Sequence, residues 1–586
     1  MKFGCARALA AVVRCAVIVS AASVAAGASE DPATVAYNDA LELVRQARKT
    51  PSPAERWTLY ETAHSYMSQI KRMLANSEPG RQLWDDTSRA ASQFADVKKA
   101  LLETGKAVCD QDFAAKCVLR FALDVVQIAE PPYTGDIYLE ISKAQAAVGD
   151  IAGAFATIEL ASSSGVSAAI PAIMAAMVRA ADLDGALVKA KGFHRARDRD
   201  IALLSIVRTL GKKGDVDNGR IVAAQISNPG DRIRALATVA AASRSADEST
   251  ALFADAFALA RTVSDAEARA KLLFEVAKLQ LAADHTAQAR ETLEAALAAT
   301  RAMPEPRERR YTLYYLKQYS KETFSAAARA IADEIQEKAA QIDVNRDPIE
   351  LVFDDAEATI DSGDYRGAKA LLERAREMAL ELTDENSRDM VYEEIITNRL
   401  KMGDFEGALR AWARMRGPYR PSGALREIGT AQAKAGDFEG LRRLLALVDL
   451  DSRGHFIRWS IVPQLAETGR LVEAHDFASQ IVNDSYYHPK AMIEIAKGEA
   501  AAGDFDAAVE TALSIQYVGY RTDALHEIAA EHFRQGRAGE AKALLHDAFR
   551  GMFGAGGVLS GIIYYKPILE AFSDIGKLLA EIEASG

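Results

Sequence analysis

Few residues in this chain have the type and spacing that chemistry requires. His526-Glu527 and Glu531-His532 bring two imidazoles and two carboxylates close together in sequence. A zinc peptidase needs two histidines at i and i+4 on one helical face, with a glutamate between them as base. Here the histidines are six apart, so they fall on different faces of a helix. His546 adds a third imidazole without a motif around it. No G-x-S-x-G elbow and no phosphate-cradling P-loop occurs. Carboxylates such as Glu377 and Glu381, spaced i,i+4, read as a solvated helix face. No catalytic residue, metal ligand or cofactor-binding residue is therefore expected.

Tyrosine and arginine cluster more tellingly, because both are enriched where proteins grip partners. One cluster is Arg307–Tyr319, which holds Tyr315. Others are Tyr419-Arg420, Tyr486-Tyr487-His488, and Tyr517 with Tyr520-Arg521. Tyr315, Tyr419, Arg420, Tyr486, Tyr487, Tyr520 and Arg521 are the candidate partner-binding residues. The competing reading is that such tyrosines fill junctions between packed helices.

The elements that must position these residues show in a recurring phrase. It reads Gly403-Asp404-Phe405 with Ala408, Gly436-Asp437-Phe438 with Leu441, and Gly503-Asp504-Phe505 with Ala508. Worn copies stand at Gly469-Arg470 and Gly536-Arg537, so the step is 33 or 34 residues. Apolar residues recur at spacings of three and four on both sides of each glycine, which argues for two amphipathic helices per unit. Glycine ends the first helix, and aspartate caps the second. A fixed period of this size marks a stacked repeat array.

These residues resemble the tetratricopeptide repeat (TPR) family, with its helical hairpins, Gly-Asp-aromatic turn and early alanine in the second helix. Gly363-Asp364-Tyr365 with Ala368 fits as well. The helix-A tyrosine position holds Arg399, Gln432, Glu499 and His532 instead, so the array is divergent. The resemblance implies an all-α fold, an α-solenoid of about 33 residues per repeat wound as a right-handed superhelix. It also implies a scaffold that binds a protein or peptide partner. The rival reading is an enzyme, or a subunit of one, acting on envelope polysaccharide. No cofactor is expected.

Weaker copies at Gly149-Asp150, Ala181-Asp182, Gly214-Asp215, Ala246-Asp247 and Ala283-Asp284 extend the array upstream. The expected organisation is a divergent N-terminal capping region over 29–130, repeats over 131–284, an irregular long-helix segment over 285–362, regular repeats over 363–550 and a C-terminal capping helix within 551–586. Arg199, Arg232, Arg269, Arg388 and Arg521 each stand seven residues before an apolar helix-A residue. The structural explanation is that they bond open carbonyls at the end of the preceding helix.

Residues 1–28 read as a secretory signal: Lys2, Arg7 and Arg14, then an apolar stretch from Cys15 to Val24, then Ala26-Gly27-Ala28 before Ser29. Cleavage before Ser29 removes three cations and takes the net charge from −11 to −14. The expected location is periplasmic or secreted, with no stable membrane span after cleavage. An acidic chain without a long basic stretch argues against a nucleic-acid partner. Cys109 and Cys117 would then be the two remaining cysteines, either bridged or buried as thiols.

Overall fold

A computed structural model describes residues 31–129, 134–161, 163–303, 348–416, 420–447, 452–482, 484–553 and 566–585, with isolated positions between 309 and 338. The described residues form helices and connecting turns, with no strand among them. They group into two compact units, one holding the chain to Asp150 together with Leu465–Gly586, the other Ile151–Gln464.

The repeated phrase is a helix-to-helix turn of one geometry. Gly149, Gly214, Gly363, Gly403, Gly436, Gly469, Gly503 and Gly536 all have φ between 69° and 86°. This left-handed conformation costs glycine little and other residues more. At Gly403 the amide donates to the Leu400 carbonyl, and the next amide, Asp404, donates back to Arg399 O. That pair of bonds satisfies carbonyls the ending helix leaves open. The aspartate then caps the following helix: Asp404 Oδ1 accepts from Gly407 N–H at 3.0 Å, and Asp437 Oδ1 from Gly440 N–H at 2.9 Å. Arg470 and Arg537 make no such side-chain cap.

Two upstream copies depart from the expected register, by one residue at Asp284 and by two at Ser245. Asp284, not Ala283, takes the left-handed conformation (φ 58°), and His285 is the N-cap. Near residue 246 there is no left-handed residue; Ser245 is the cap and accepts from Glu248 N–H at 3.3 Å. The close-approach position then falls on Ser249, which is buried and donates to Ala240 O at 2.8 Å.

In the Ile151–Gln464 unit, recurrent arginines tie successive hairpins. Arg199 donates to Phe193 O and His194 O, Arg269 to Val263 O and Ser264 O, and Arg388 to Leu382 O. The next residue works forward along the array. Buried Asp200 accepts from the Ser227 and Asn228 amides, and buried Asp389 from Arg416 N–H. At Arg199 and Arg388 the arginine therefore anchors the loop behind and the aspartate the loop ahead, while Arg269 anchors only the loop behind, so these three serve stacking.

In the other unit the two ends of the chain share one core. The helix Lys566–Ser585 packs on Val518–Arg534 and Ala538–Gly551, and equally on Ala115–Ala129 and Thr134–Ala147. Phe121, Phe549, Phe553 and Phe572 meet with ring centroids 5.2–6.2 Å apart. Gly576 is where the last helix passes closest: a Cβ there would lie 2.5 Å from Leu119 Cδ2. Polar bonds frame the apolar contact. Glu583 accepts from Ala115 N–H at 3.0 Å, Lys577 reaches Glu140 at 2.9 Å, and Asp110 accepts from Arg550 at 2.5 Å. Cys109 and Cys117 are bonded, with Cα atoms 5.5 Å apart, and hold the turn that carries Asp110 and Phe113. Phe113 stacks on His546 at 4.4 Å.

A buried polar group also sits here. Asp124 accepts from the Trp57 indole N–H at 2.6 Å, while Arg120 pairs with Glu61 at 2.7 Å and lies over the Trp57 ring. Burial first, then the Glu61 charge, push the Asp124 carboxyl well above the usual range, against the pull of Arg120.

Candidate functional site

The tyrosine rim divides sharply by burial. Tyr315 and Tyr419 lie outside the described residues, and of Arg420 only the backbone is described, opening the helix Arg420–Ala435. Tyr486 is 49% exposed and Tyr487 half-buried, their rings edge-on at 5.0 Å. Lys490 lies over the Tyr486 ring at 4.3 Å and donates to its hydroxyl at 3.0 Å. Tyr520 is only 5% exposed and belongs to the core; its place on the open surface is taken by Tyr517, 44% exposed and edge-on to it at 6.4 Å. The reason is helical phase: Tyr520 faces the hairpin junction, whereas Tyr517 precedes the first turn of the helix. Arg521 is half-buried on that helix.

Tyr486 and Tyr517 each stand directly before the first helix of a hairpin, in different repeat registers. Each is the N-cap of a first helix in its hairpin, Tyr487–Ala501 and Val518–Arg534, and neither makes a capping side-chain bond. At the first of these helices Asp484 supplies the acceptor instead, its Oδ1 accepting from the Tyr486 and Tyr487 amides. Both rings keep about half their surface open, although Lys490 borders one and Tyr520 the other.

Beyond the rim, mostly half-buried charges of both signs lie on these first helices and on Lys566–Ser585. Glu494, Asp523, Glu527, Glu570 and Asp574 are interleaved with Lys490, Lys497 and Lys577. Asp523 is pushed up to about 8, by burial first and then by Asp574, Glu570 and Glu527, with Lys490 opposing. Glu494 is raised for the same leading reason.

Two of the three histidines singled out in the sequence make packing or polar contacts within the fold. His532 stacks on Phe505 at 3.7 Å, and His546 bonds Asp110 at 3.0 Å. Among the described residues no group of three or more His, Cys, Asp or Glu could hold a metal ion. No helix among them is long and apolar enough to cross a membrane.

A second surface, missed in the sequence, opens at the N-terminal helices. Pro32–Lys49 and Arg89–Gln111 both pack on Pro53–Met73 and leave a cleft of about 460 Å³ between them. Tyr37 spans it, donating its hydroxyl to Gln93 Oε1 at 2.7 Å. Arginines line its mouth. The available signal was faint: Tyr37, Leu41, Arg45 and Arg48 share one helical stripe, and Arg89 and Gln93 another.

The turns, caps and paired helices define a divergent array of TPR-like hairpins. No protein-family model matches the chain, and no curated protein does. Solved structures similar to it include Ton1535 from Thermococcus onnurineus NA1, at 17% identity over 61% of this chain and 97% of that one, with a TM-score of 0.24. Yeast Tom70 is similar at 13% identity over 93% and 96%, with a TM-score of 0.25. The TPR domain of P58(IPK) is similar at 15% identity over 61% and 97%, with a TM-score of 0.14. At these TM-scores the hairpin geometry of the chain itself carries the fold.

Proposed function

We propose that this chain is an exported, non-catalytic adaptor that binds a protein or peptide partner in the cell envelope. The observation that carries the reading is the pair of half-exposed tyrosines, Tyr486 and Tyr517, at the entries to the first helices of successive hairpins. Tyrosine offers a large, rigid contact area with a polar tip, the chemistry of an interface hot spot. Export is supported by the basic-apolar-small pattern of residues 1–28.

The test is capture of partners from the envelope fraction by the purified chain and by Y486A/Y517A. Both rings are exposed, so the double variant keeps its melting temperature, while partner recovery falls at least tenfold. Equal recovery by the two proteins would reject the tyrosine rim as the contact surface. Export is tested separately by the mass of the protein recovered from the periplasm, which should correspond to a chain starting at Ser29.

A further inference from the structure

The cleft between Pro32–Lys49 and Arg89–Gln111 combines apolar and basic side chains. Its apolar part is Leu41, Val44, Tyr60 and Val97, of which Val44, Tyr60 and Val97 are buried. Its polar part is Arg45, Arg48, Arg89, Tyr37, Gln82 and Gln93, with Asp96 the single carboxylate in the lining. Three arginines against one aspartate is a local excess of positive charge in a chain whose net charge is −11. Arg45 is partly offset by Glu42 at 2.6 Å. Arg48 and Arg89 make no ion pair with a carboxylate among the described residues.

We propose that this cleft binds an acidic peptide segment that carries an apolar side chain. Each part of the lining has a matching part of such a ligand. The guanidinium groups of Arg48 and Arg89, on different helices, suit planar carboxylates, which arginine holds through paired N–H donors. The apolar floor takes a leucine-sized side chain out of water. Gln82 and Gln93 offer amide donors and acceptors to a peptide backbone. A volume of about 460 Å³ lies in the range of small-ligand sites, enough for a short stretch of chain. A bare phosphate would leave the apolar floor and the glutamines unused.

The cleft is separate from the tyrosine rim. The inference rests on the reading of the chain as a peptide-binding adaptor, and it adds a second contact with its own charge preference.

The experiment is calorimetric titration of the purified chain with a blocked pentapeptide alternating glutamate and leucine. Parallel arms use the glutamine-for-glutamate peptide, inorganic phosphate and phosphatidylglycerol vesicles. The glutamate peptide is expected to bind saturably and to weaken as salt is raised. R48Q/R89Q should weaken it by roughly tenfold per arginine, and R48K/R89K should recover part of that loss. The glutamine peptide should bind at least tenfold more weakly. Arg48 and Arg89 are exposed, so an unchanged melting temperature separates lost binding from lost structure. Absence of peptide binding overturns the proposal, as does binding that R48Q/R89Q leaves intact. Response to phosphate or vesicles but not to the peptide also overturns it. Y486A/Y517A is expected to bind the pentapeptide normally, so failure at the rim and failure at the cleft read out separately.

Discussion

Phe121 and Phe572 belong to opposite ends of the chain, and their contact makes a sharp prediction about stability. Both are fully buried, with ring centroids 5.6 Å apart in an edge-on arrangement, and both also touch Phe549 and Phe553. Truncating either phenylalanine to alanine should cost about 3–5 kcal/mol, from lost transfer energy and the cavity left behind. Because the two rings line the same space, the second truncation removes less than the first. A coupling energy of about 1 kcal/mol or more is expected, within the range for contacting residues. The reporter is Trp57, which is fully buried with its ring 6.3 Å from Phe121. With Trp84, Trp412 and Trp459 replaced by phenylalanine, urea unfolding followed by fluorescence reads the N-terminal helices alone. Phe572→Ala should shift that transition although it lies in the last helix. Additivity of the two substitutions within about 0.5 kcal/mol, or a Trp57 transition indifferent to Phe572→Ala, would refute the shared core.

Other outcomes follow from the same geometry. Cys109→Ser, or reduction of the bridge, should lower the stability read at Trp57 by about 2.5 kcal/mol, the chain-entropy value for a loop closed over eight residues; urea titration with and without reductant measures it. Asp404→Ala removes a helix cap and leaves buried Arg399 with Glu373 as its remaining ionic partner, so a loss of about 1–3 kcal/mol is expected in chemical denaturation. Asp523 has a folded pKa of about 8, above its unfolded value, so its contribution is fully present at low pH and is lost as pH rises through about 8. Asp523→Asn should flatten the fall in stability between pH 5 and pH 9, seen in melting temperatures across that range. His64 is depressed to about 3 by burial, then by Lys98 and Arg72, so its contribution is present above pH 6.5 and fades in acid; His64→Gln should remove part of the acid sensitivity.

The hairpin turn was legible because its determinants are local. A left-handed glycine, a capping aspartate and a small residue four positions after the cap suffice to write it, as at Gly403, Asp404 and Ala408. The register slipped by two at Ser245 and by one at Asp284, where the turn is made without glycine and composition gives no marker. Arg199, Arg269 and Arg388 were legible as stacking residues, but the neighbours Asp200 and Asp389 were not, since their partners are amides of the following loop. Tyr520 could not be told from Tyr517 by spacing to the turn, because burial turns on helical phase at a boundary. The union of the chain ends was invisible: Leu119 against Gly576 is a contact that no periodicity encodes. Asp124 did leave a trace, as a lone acid in the apolar run of Ala115–Ala129, the pattern of a buried polar group with a partner. The arginine cleft left little, since its parts come from separate helices.

The function proposed for the chain rests on Tyr486 and Tyr517 meeting a partner after export. A photo-crosslinking residue placed at each position in the producing cell tests this directly, with Tyr365, 49% exposed, as the control site. The account predicts one discrete adduct shared by positions 486 and 517, absent at 365, and absent when residues 1–28 are deleted. Exported protein that yields no adduct at 486 and 517, or the same adducts at 365, would contradict it.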